Sequence, residues 1–304
     1  MSEPVDSVEP VVARSPDRAT PAPAPPAASR FNQIKPFLAP LLITCILAAG
    51  HLHYSILDTD SDHGVPGTVA AIIVSIVFEM SLGKWVTGRW PHLASAYITG
   101  ISVGILVRSQ FLWPYIVCSL LSISSKYALR IQDRHLWNPS NLGVSVLLFL
   151  ANQDVVPLSQ QWGNDVWVPI IILCLGLFIL FTLGRLHITA TYIVAFSLLS
   201  GFRSAWTERP LLTEIGEITA PGYILFMCFM ITDPKTTPRT WPRQIAVTLV
   251  VAVVETILRL FRVIHAPYYA LFIVFPIANL LEIWWDARQA KETNEQPGSP
   301  PSRG

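Results

Sequence analysis

The chain has 304 residues, 52% of them hydrophobic and 13% charged, with a formal net charge of +1 and a mean hydropathy of +0.47. A soluble domain carries roughly 25% charged residues, so the composition excludes an ordinary soluble enzyme and points to an all-α polytopic membrane protein. A balance this close to neutral gives no footing for a nucleic-acid partner, and the lipid bilayer is the expected surrounding.

Residues 1–32 are rich in Pro and Ala with scattered charge. No apolar run follows a basic start, so they do not read as a cleaved signal peptide but as a disordered cytoplasmic tail. Residues 33–287 are expected to form a transmembrane helical domain, and 288–304 a second disordered tail. About ten apolar segments follow one another, starting near Pro36, Val65, His92, Phe111, Leu142, Trp167, His187, Pro221, Gln244 and Pro267. Several are shorter than the roughly 20 residues of a straight span. Leu142–Ala151 and Pro221–Ile231 are the clearest cases. Prolines beside them predict broken or re-entrant helices, whose free backbone must be covered by protein or by a polar cavity.

Charge placement sets the topology. If the N-terminus is cytoplasmic, sixteen of the 21 Lys and Arg fall in inside segments, and five (Arg108, Arg203, Arg209, Arg259 and Arg262) fall outside. The acidic loop Asp58–Gly64 and the Lys/Arg-free loop Asn152–Val166 also fall outside. Ten spans in the cell's inner (plasma) membrane, with both termini cytoplasmic, satisfy the positive-inside rule. Trp85, Trp90, Trp137, Trp162, Trp167, Trp241, Trp284 and Trp285 stand near predicted ends, where indoles anchor at headgroup level. Cys45, Cys118, Cys174 and Cys228 lie within apolar runs without CxxC spacing and read as small core residues.

Two polar segments interrupt this pattern. In RHLWNPSNLG (Arg134–Gly143), Asn138 is the natural N-cap and Pro139 the first residue of a helix. That helix start carries a positive partial charge beside Lys126, Arg130, Arg134 and His135, a ready place for a phosphate or carboxylate. In ITDPKTTPR (Ile231–Arg239), Asp233 before Pro234 repeats the order, with hydroxyls from Thr232, Thr236 and Thr237 and with Lys235, Arg239 and Arg243 close by. Each alone is equally an ordinary capped loop. Together, each beside a short apolar segment, they make Lys126, Arg130, Arg134, Asn138, Ser140, Asn141, Asp233, Thr236 and Thr237 the candidate ligand-binding residues.

Ionisable residues inside apolar spans are the next candidates. Glu79 lies a turn from an inner end, within reach of Lys84. Glu255 is deeper, with Arg259 four residues on along the same face. Each is either an ion-pair member or part of an ion pathway. His51 and His53, two residues apart, face different sides of a helix and do not form a metal site. His187 opens a span beside Arg185, and a haem would need ligands on facing helices. No nucleotide-binding or metalloprotease motif is present.

The stretches KYALRIQDRHLWNPSNLGVSVLLFL and FMCFMITDPKTTP resemble the RnfD/NqrB family, the membrane subunit of the Rnf and Na+-translocating NADH:quinone oxidoreductase complexes. The resemblance covers about Ser95–Pro238. Stand-alone members, including proteins of enediyne biosynthesis clusters, look closer to it than the pump subunits. It implies ten helices in two inverted five-helix halves of urea/ammonium-channel type. It also implies a flavin-carrying subunit that couples electron transfer to ion movement beside other membrane or redox subunits. Family members hold covalent FMN on the threonine of an SGAT motif. The corresponding loop here, NQDVVPLSQQWGND, has no threonine, so covalent FMN is not expected, and a non-covalent flavin, FMN or riboflavin, is the cofactor to look for. Two functions follow: a non-catalytic or electron-transfer subunit with ion-coupled electron transfer, or a small-solute or ion transporter without a redox cofactor. The charge-derived topology places both proline segments on one side, so they are not inverted-repeat counterparts.

Overall fold

A computed structural model describes Thr44 and residues 64–131, 134–157 and 166–294. The helices are α1 (Gly64–Thr87), α2 (Leu93–Leu106), α3 (Trp113–Ala128), α4 (Pro139–Leu150) and α5 (Trp167–Leu183). After these come α6 (Leu186–Thr207), α7 (Leu211–Gly216), α8 (Pro221–Leu225), α9 (Trp241–Leu260) and α10 (Ala266–Asn294). A 3-10 turn, Glu217–Thr219, extends α7, and a π-helical turn, Phe226–Met230, extends α8. Two short antiparallel pairs join loops: β1 (Val107–Arg108) with β4 (Val156–Pro157), and β2 (Arg130–Ile131) with β3 (Arg134–His135).

Nine of the ten expected apolar segments coincide with helices among the described residues. The first, from Pro36, lies outside them apart from Thr44, which is helical. Cys45, His51, His53, the 58–63 part of the acidic loop, Trp162 and residues 1–32 and 295–304 also lie outside. Two boundaries differ from expectation. The helix α10 runs past residue 287 to Asn294, where Arg288 pairs with Glu292 one turn on at 3.3 Å and no proline intervenes. The segment expected from Pro221 is preceded by helix from Leu211, and the two parts meet at a 60° bend. Ala220 is extended there and Pro221 lacks an amide hydrogen, so the helix cannot run through.

Val65–Thr87, Leu186–Thr207 and Ala266–Gln289 are long and apolar enough to cross a membrane; the bent pair is a fourth if taken as one span. The burial pattern agrees with a lipid solvent. Val77, Phe149, Phe181, Leu198 and Phe202 are more than half exposed, whereas Glu79, Lys126, Arg203, Glu255, Asn279 and Glu282 are buried. A water-soluble fold of this size does not show so many large apolar side chains outward around titratable side chains held inside.

The main packing runs α1 against α2 and α3, α3 against α4, α6 against α9, and α9 against α10. Small residues allow close approach where no hydrophobic force separates helix from lipid. A Cβ on Gly100 would stand 2.6 Å from the Ile72 Cα, and one on Gly143 2.7 Å from the Cys118 carbonyl oxygen. Neither backbone can yield that space.

The first proline segment behaves locally as the sequence predicts; after Asp233–Pro234 the chain makes only turns, the Asp233 side chain accepting from the Lys235 amide at 3.1 Å, and no helix starts there. The side chain of Asn138 accepts from the Asn141 amide at 3.1 Å, Pro139 opens α4, and α4 ends after 12 residues. That is roughly 18 Å, little more than half the hydrocarbon core. Trp137 does something other than anchor at the headgroups. Pro276 inside α10 cannot donate to the carbonyl of Phe272, and the Trp137 indole N–H donates to it instead at 2.9 Å. A carbonyl freed by a proline in one helix is thus satisfied from the loop before another.

Loops that the charge count assigns to one side do gather. The ends of α1 and α3, the start of α2, the β2–β3 hairpin, Arg185 and the 234–239 segment line one cavity. The loops after α2 and α4, both assigned to the other side, pair through β1 and β4.

Candidate functional site

The cavity at the first end has a volume of about 580 Å3. Among the described residues its wall holds Lys126, Arg130, Arg134, Arg185, Lys235 and Arg239, against a single carboxylate, Glu79. Six cations around one acid make a strongly anion-attracting hollow, in the size range of small-molecule sites.

Two of these cations are structural. Lys126, at the end of α3, gives its ammonium donors to Glu79 Oε2 at 2.8 Å and to the Ser95 carbonyl and hydroxyl, each at 3.1 Å. Glu79 takes a further hydrogen bond from the Tyr127 hydroxyl at 3.0 Å. The expected partner Lys84 instead donates to the Gly88 carbonyl and lies over the Trp90 ring. Buried charge needs full satisfaction, and the buried Lys126 supplies it where Lys84, exposed in the last turn of α1, does not. Arg134 is held between Glu282, the side-chain oxygen of Asn279 at 3.2 Å and the Thr237 carbonyl at 3.1 Å. The remaining cations stand more openly. Arg185 makes one long contact, 3.4 Å to the Thr232 carbonyl, and Lys235 has no ion-pair partner among the described residues.

The expected helix start does not face this space. Asn138, Ser140, Asn141, Asp233 and Thr236 are absent from the cavity wall; Lys126, Arg130, Arg134 and Thr237 are on it. The cap is committed elsewhere. Asn138 donates to Asp233 Oδ2 at 3.1 Å, so the two proline segments bind each other directly. Asp233 also accepts from the Lys235 amide and the Thr236 hydroxyl. Burial pushes its carboxyl above the usual range, opposed by these donors and by the nearby Lys235 and Arg185 charges. Behind the wall, Asn141 and Ser145 donate to the Tyr268 carbonyl. Asn138, Asp233 and Thr236 therefore frame the cationic wall rather than form it, Asn141 ties α4 to α10, and Ser140 is buried in the first turn of α4.

That frame has a third member, on α10. Asn279 is fully buried and donates to the carbonyls of Leu136 and Thr236, at 3.1 and 3.0 Å, joining both proline segments. One turn on, Glu282 accepts from Arg134, from the Arg239 amide at 3.0 Å and from Arg243 at 3.1 Å. Neither is among the residues that the sequence reading above singles out. The signal was present: NLLE places an amide and a carboxylate three residues apart, on one face of an apolar helix, by the same rule that marks Glu79 and Glu255.

His135 lines the cavity next to Arg134, and its Nδ1 is buried without a partner. Burial, then Lys235, Lys126 and Arg130, drive its pKa down to about 4, so the ring is neutral at physiological pH. His187 is elsewhere and fully engaged. The Trp241 indole donates to Nδ1 at 2.8 Å, which leaves Nε2 to donate to Gln244 Oε1 at 2.6 Å. No ring nitrogen of His187 is left for a metal, and among the described residues no three His, Cys, Asp or Glu side chains could share a metal ion.

Glu255 lies outside the cavity. It is fully buried in α9, accepting from Tyr192 at 2.5 Å, Tyr223 at 2.7 Å and Arg259 Nε at 3.0 Å. Arg259 also binds Glu217, and Arg203 binds Glu214 at 2.9 Å, Ser200 at 2.6 Å and Thr256 at 3.2 Å. Both guanidinium groups lie against the Phe196 ring. Here the expected Glu255–Arg259 pair is present, within a closed network.

Compared by sequence, the chain matches no protein-family model and no curated protein.

Proposed function

We propose that this chain is an electron-transfer protein of the RnfD/NqrB kind, holding a phosphate-bearing flavin, FMN, non-covalently in the cationic cavity. The observation that carries the reading is the cationic wall around about 580 Å3, where the two proline segments meet: with Lys126 and Arg134 matched by Glu79 and Glu282, it still presents Arg185, Lys235 and Arg239. Arg185, Lys235 and Arg239 take the phosphate in this reading, and Lys126 and Arg134 keep the wall in place. The same reading includes ten spans, cytoplasmic termini and two inverted five-helix halves. Two features support the halves. The second helix packs on the fourth and the fourth on the fifth in α1–α3–α4, and again in α6–α9–α10. In each half a buried carboxylate joins the second and fourth helices, Glu79 to Lys126 and Glu255 to Tyr192.

The experiment is a flavin titration of detergent-purified protein, comparing FMN with riboflavin. Saturable quenching of FMN fluorescence is expected, with riboflavin binding at least about tenfold more weakly because it lacks the charge-assisted contacts. Absence of flavin binding after reconstitution with both compounds would sink the reading.

One observation favours a second reading, an anion transporter without a redox role. The cavity lies at one end of the bundle, and the Arg203–Glu214 and Arg259–Glu255 pairs tie helices together toward the other, an arrangement compatible with a one-sided state of alternating access. Anion flux into liposomes without an electron donor, in protein that binds no flavin, would select it.

A further inference from the structure

A second hollow runs between α9 and α10, with a volume of about 420 Å3. Its floor is apolar: Val247, Val250 and Val254 from α9, and Ile273, Ile277 and Leu281 from α10. The polar groups stand at one end, where Arg243, Glu282 and Trp285 close it. Arg243 pairs with Glu282 at 3.1 Å and with Asp286 at 2.9 Å, both through Nη1. Its Nε and Nη2 have no hydrogen-bond partner among the described residues, and its side chain is 32% exposed.

Depth identifies the occupant. From Arg243 to Val254 a helix rises roughly 16 Å, which is about half the hydrocarbon thickness of a bilayer. Trp285 marks the headgroup level at the mouth, where indoles prefer to sit. An apolar channel one leaflet deep, with a guanidinium edge at its top, fits one acyl chain with a phosphate above it. A long isoprenoid tail does not match the depth, and a small apolar solute leaves the cation unused.

We infer that the α9–α10 groove is a specific phospholipid site, with one acyl chain along Val247–Val254 and the lipid phosphate on Arg243. The site is independent of the cofactor reading. It also touches the frame of the cationic cavity, since Glu282 holds Arg134 and Arg243 together and Pro238 lines both hollows.

The test uses the full chain, delipidated in detergent and then titrated with phosphatidylglycerol or with diacylglycerol of the same chains, read by native mass spectrometry. Wild type is expected to retain one phosphatidylglycerol per chain and to bind diacylglycerol at least about tenfold more weakly. Arg243→Gln should erase that difference. Val250→Trp, at a half-exposed position, should block retention without changing thermal stability, and Ala278→Phe should do the same from α10. Retention by folded Val250→Trp equal to wild type overturns the site, as does equal binding of the two lipids. A quinone retained in place of phospholipid also overturns it.

Discussion

Both ends of the helix bundle bury titratable side chains, and they use them in opposite ways. Around Glu255, guanidinium groups and carboxylates alternate, two tyrosines complete the carboxylate, and Phe196 fills the space between the arginines. Around Lys126 and Arg134, the acids satisfy only the deepest cations and leave Arg185, Lys235 and Arg239 about an open volume. A buried network in which every charge is matched has nothing left to offer a ligand; one with surplus cations on a hollow does. Within the buried interior, charge density therefore does not distinguish a site from a strut, but unmatched charge does.

Mutations can break this contrast. The largest effect is expected at the closed end. Glu255→Ala takes from Arg259 its buried partner, leaving it Glu217, strands Tyr192 and Tyr223 in the interior, and should destabilise the protein by about 3–5 kcal/mol, read as a fall in the thermal midpoint in detergent. A loss under about 1 kcal/mol would mean that water or another acid fills the place, and the network is not closed.

At the open end, structural contacts are expected one layer behind the wall. Trp137→Phe leaves the Phe272 carbonyl unsatisfied and should cost about 1–3 kcal/mol. Pro276→Ala restores the helical donor, so the double variant should recover part of that loss, and a double-mutant cycle measures the coupling. Additive losses would show that the indole contributes by packing alone.

The wall itself should respond in binding rather than in stability. Lys235→Gln and Arg185→Gln are each expected to weaken FMN binding about tenfold with little change in thermal midpoint, whereas Lys126→Gln lowers stability first. The reverse pattern would exchange the roles assigned to wall and frame.

The smallest effect is a pH dependence. His135 in the folded chain takes a proton only near pH 4, against 6.5 for an ordinary histidine. The unfolded chain therefore binds the extra proton between these values, and folding stability, complete above about pH 6.5, declines as pH falls toward 4. His135→Gln should flatten stability measured across that window. An unchanged slope would assign the decline to other groups.

Much of the fold was legible in the chain because it depends on local rules. Hydropathy located nine helices within a few residues, and Asn138–Pro139 marked the start of α4, since cap and proline act through the adjacent backbone. The positive-inside count grouped the loops that line the cavity. The site was only half legible for the same reason. Nothing near Trp137 in sequence says that it completes a carbonyl 135 residues away, and Lys84, not Lys126, is the neighbour that sequence offers to Glu79.

Composition, hydropathy and capping thus determined by themselves a helical chain built for lipid, with two proline-started segments on one side of it. Tertiary structure alone decided which cations are neutralised and which are left at an open volume. The physical reason is range: backbone preference and side-chain polarity act within a turn or two, but the cost of a buried charge depends on what other helices bring within about 3 Å of it.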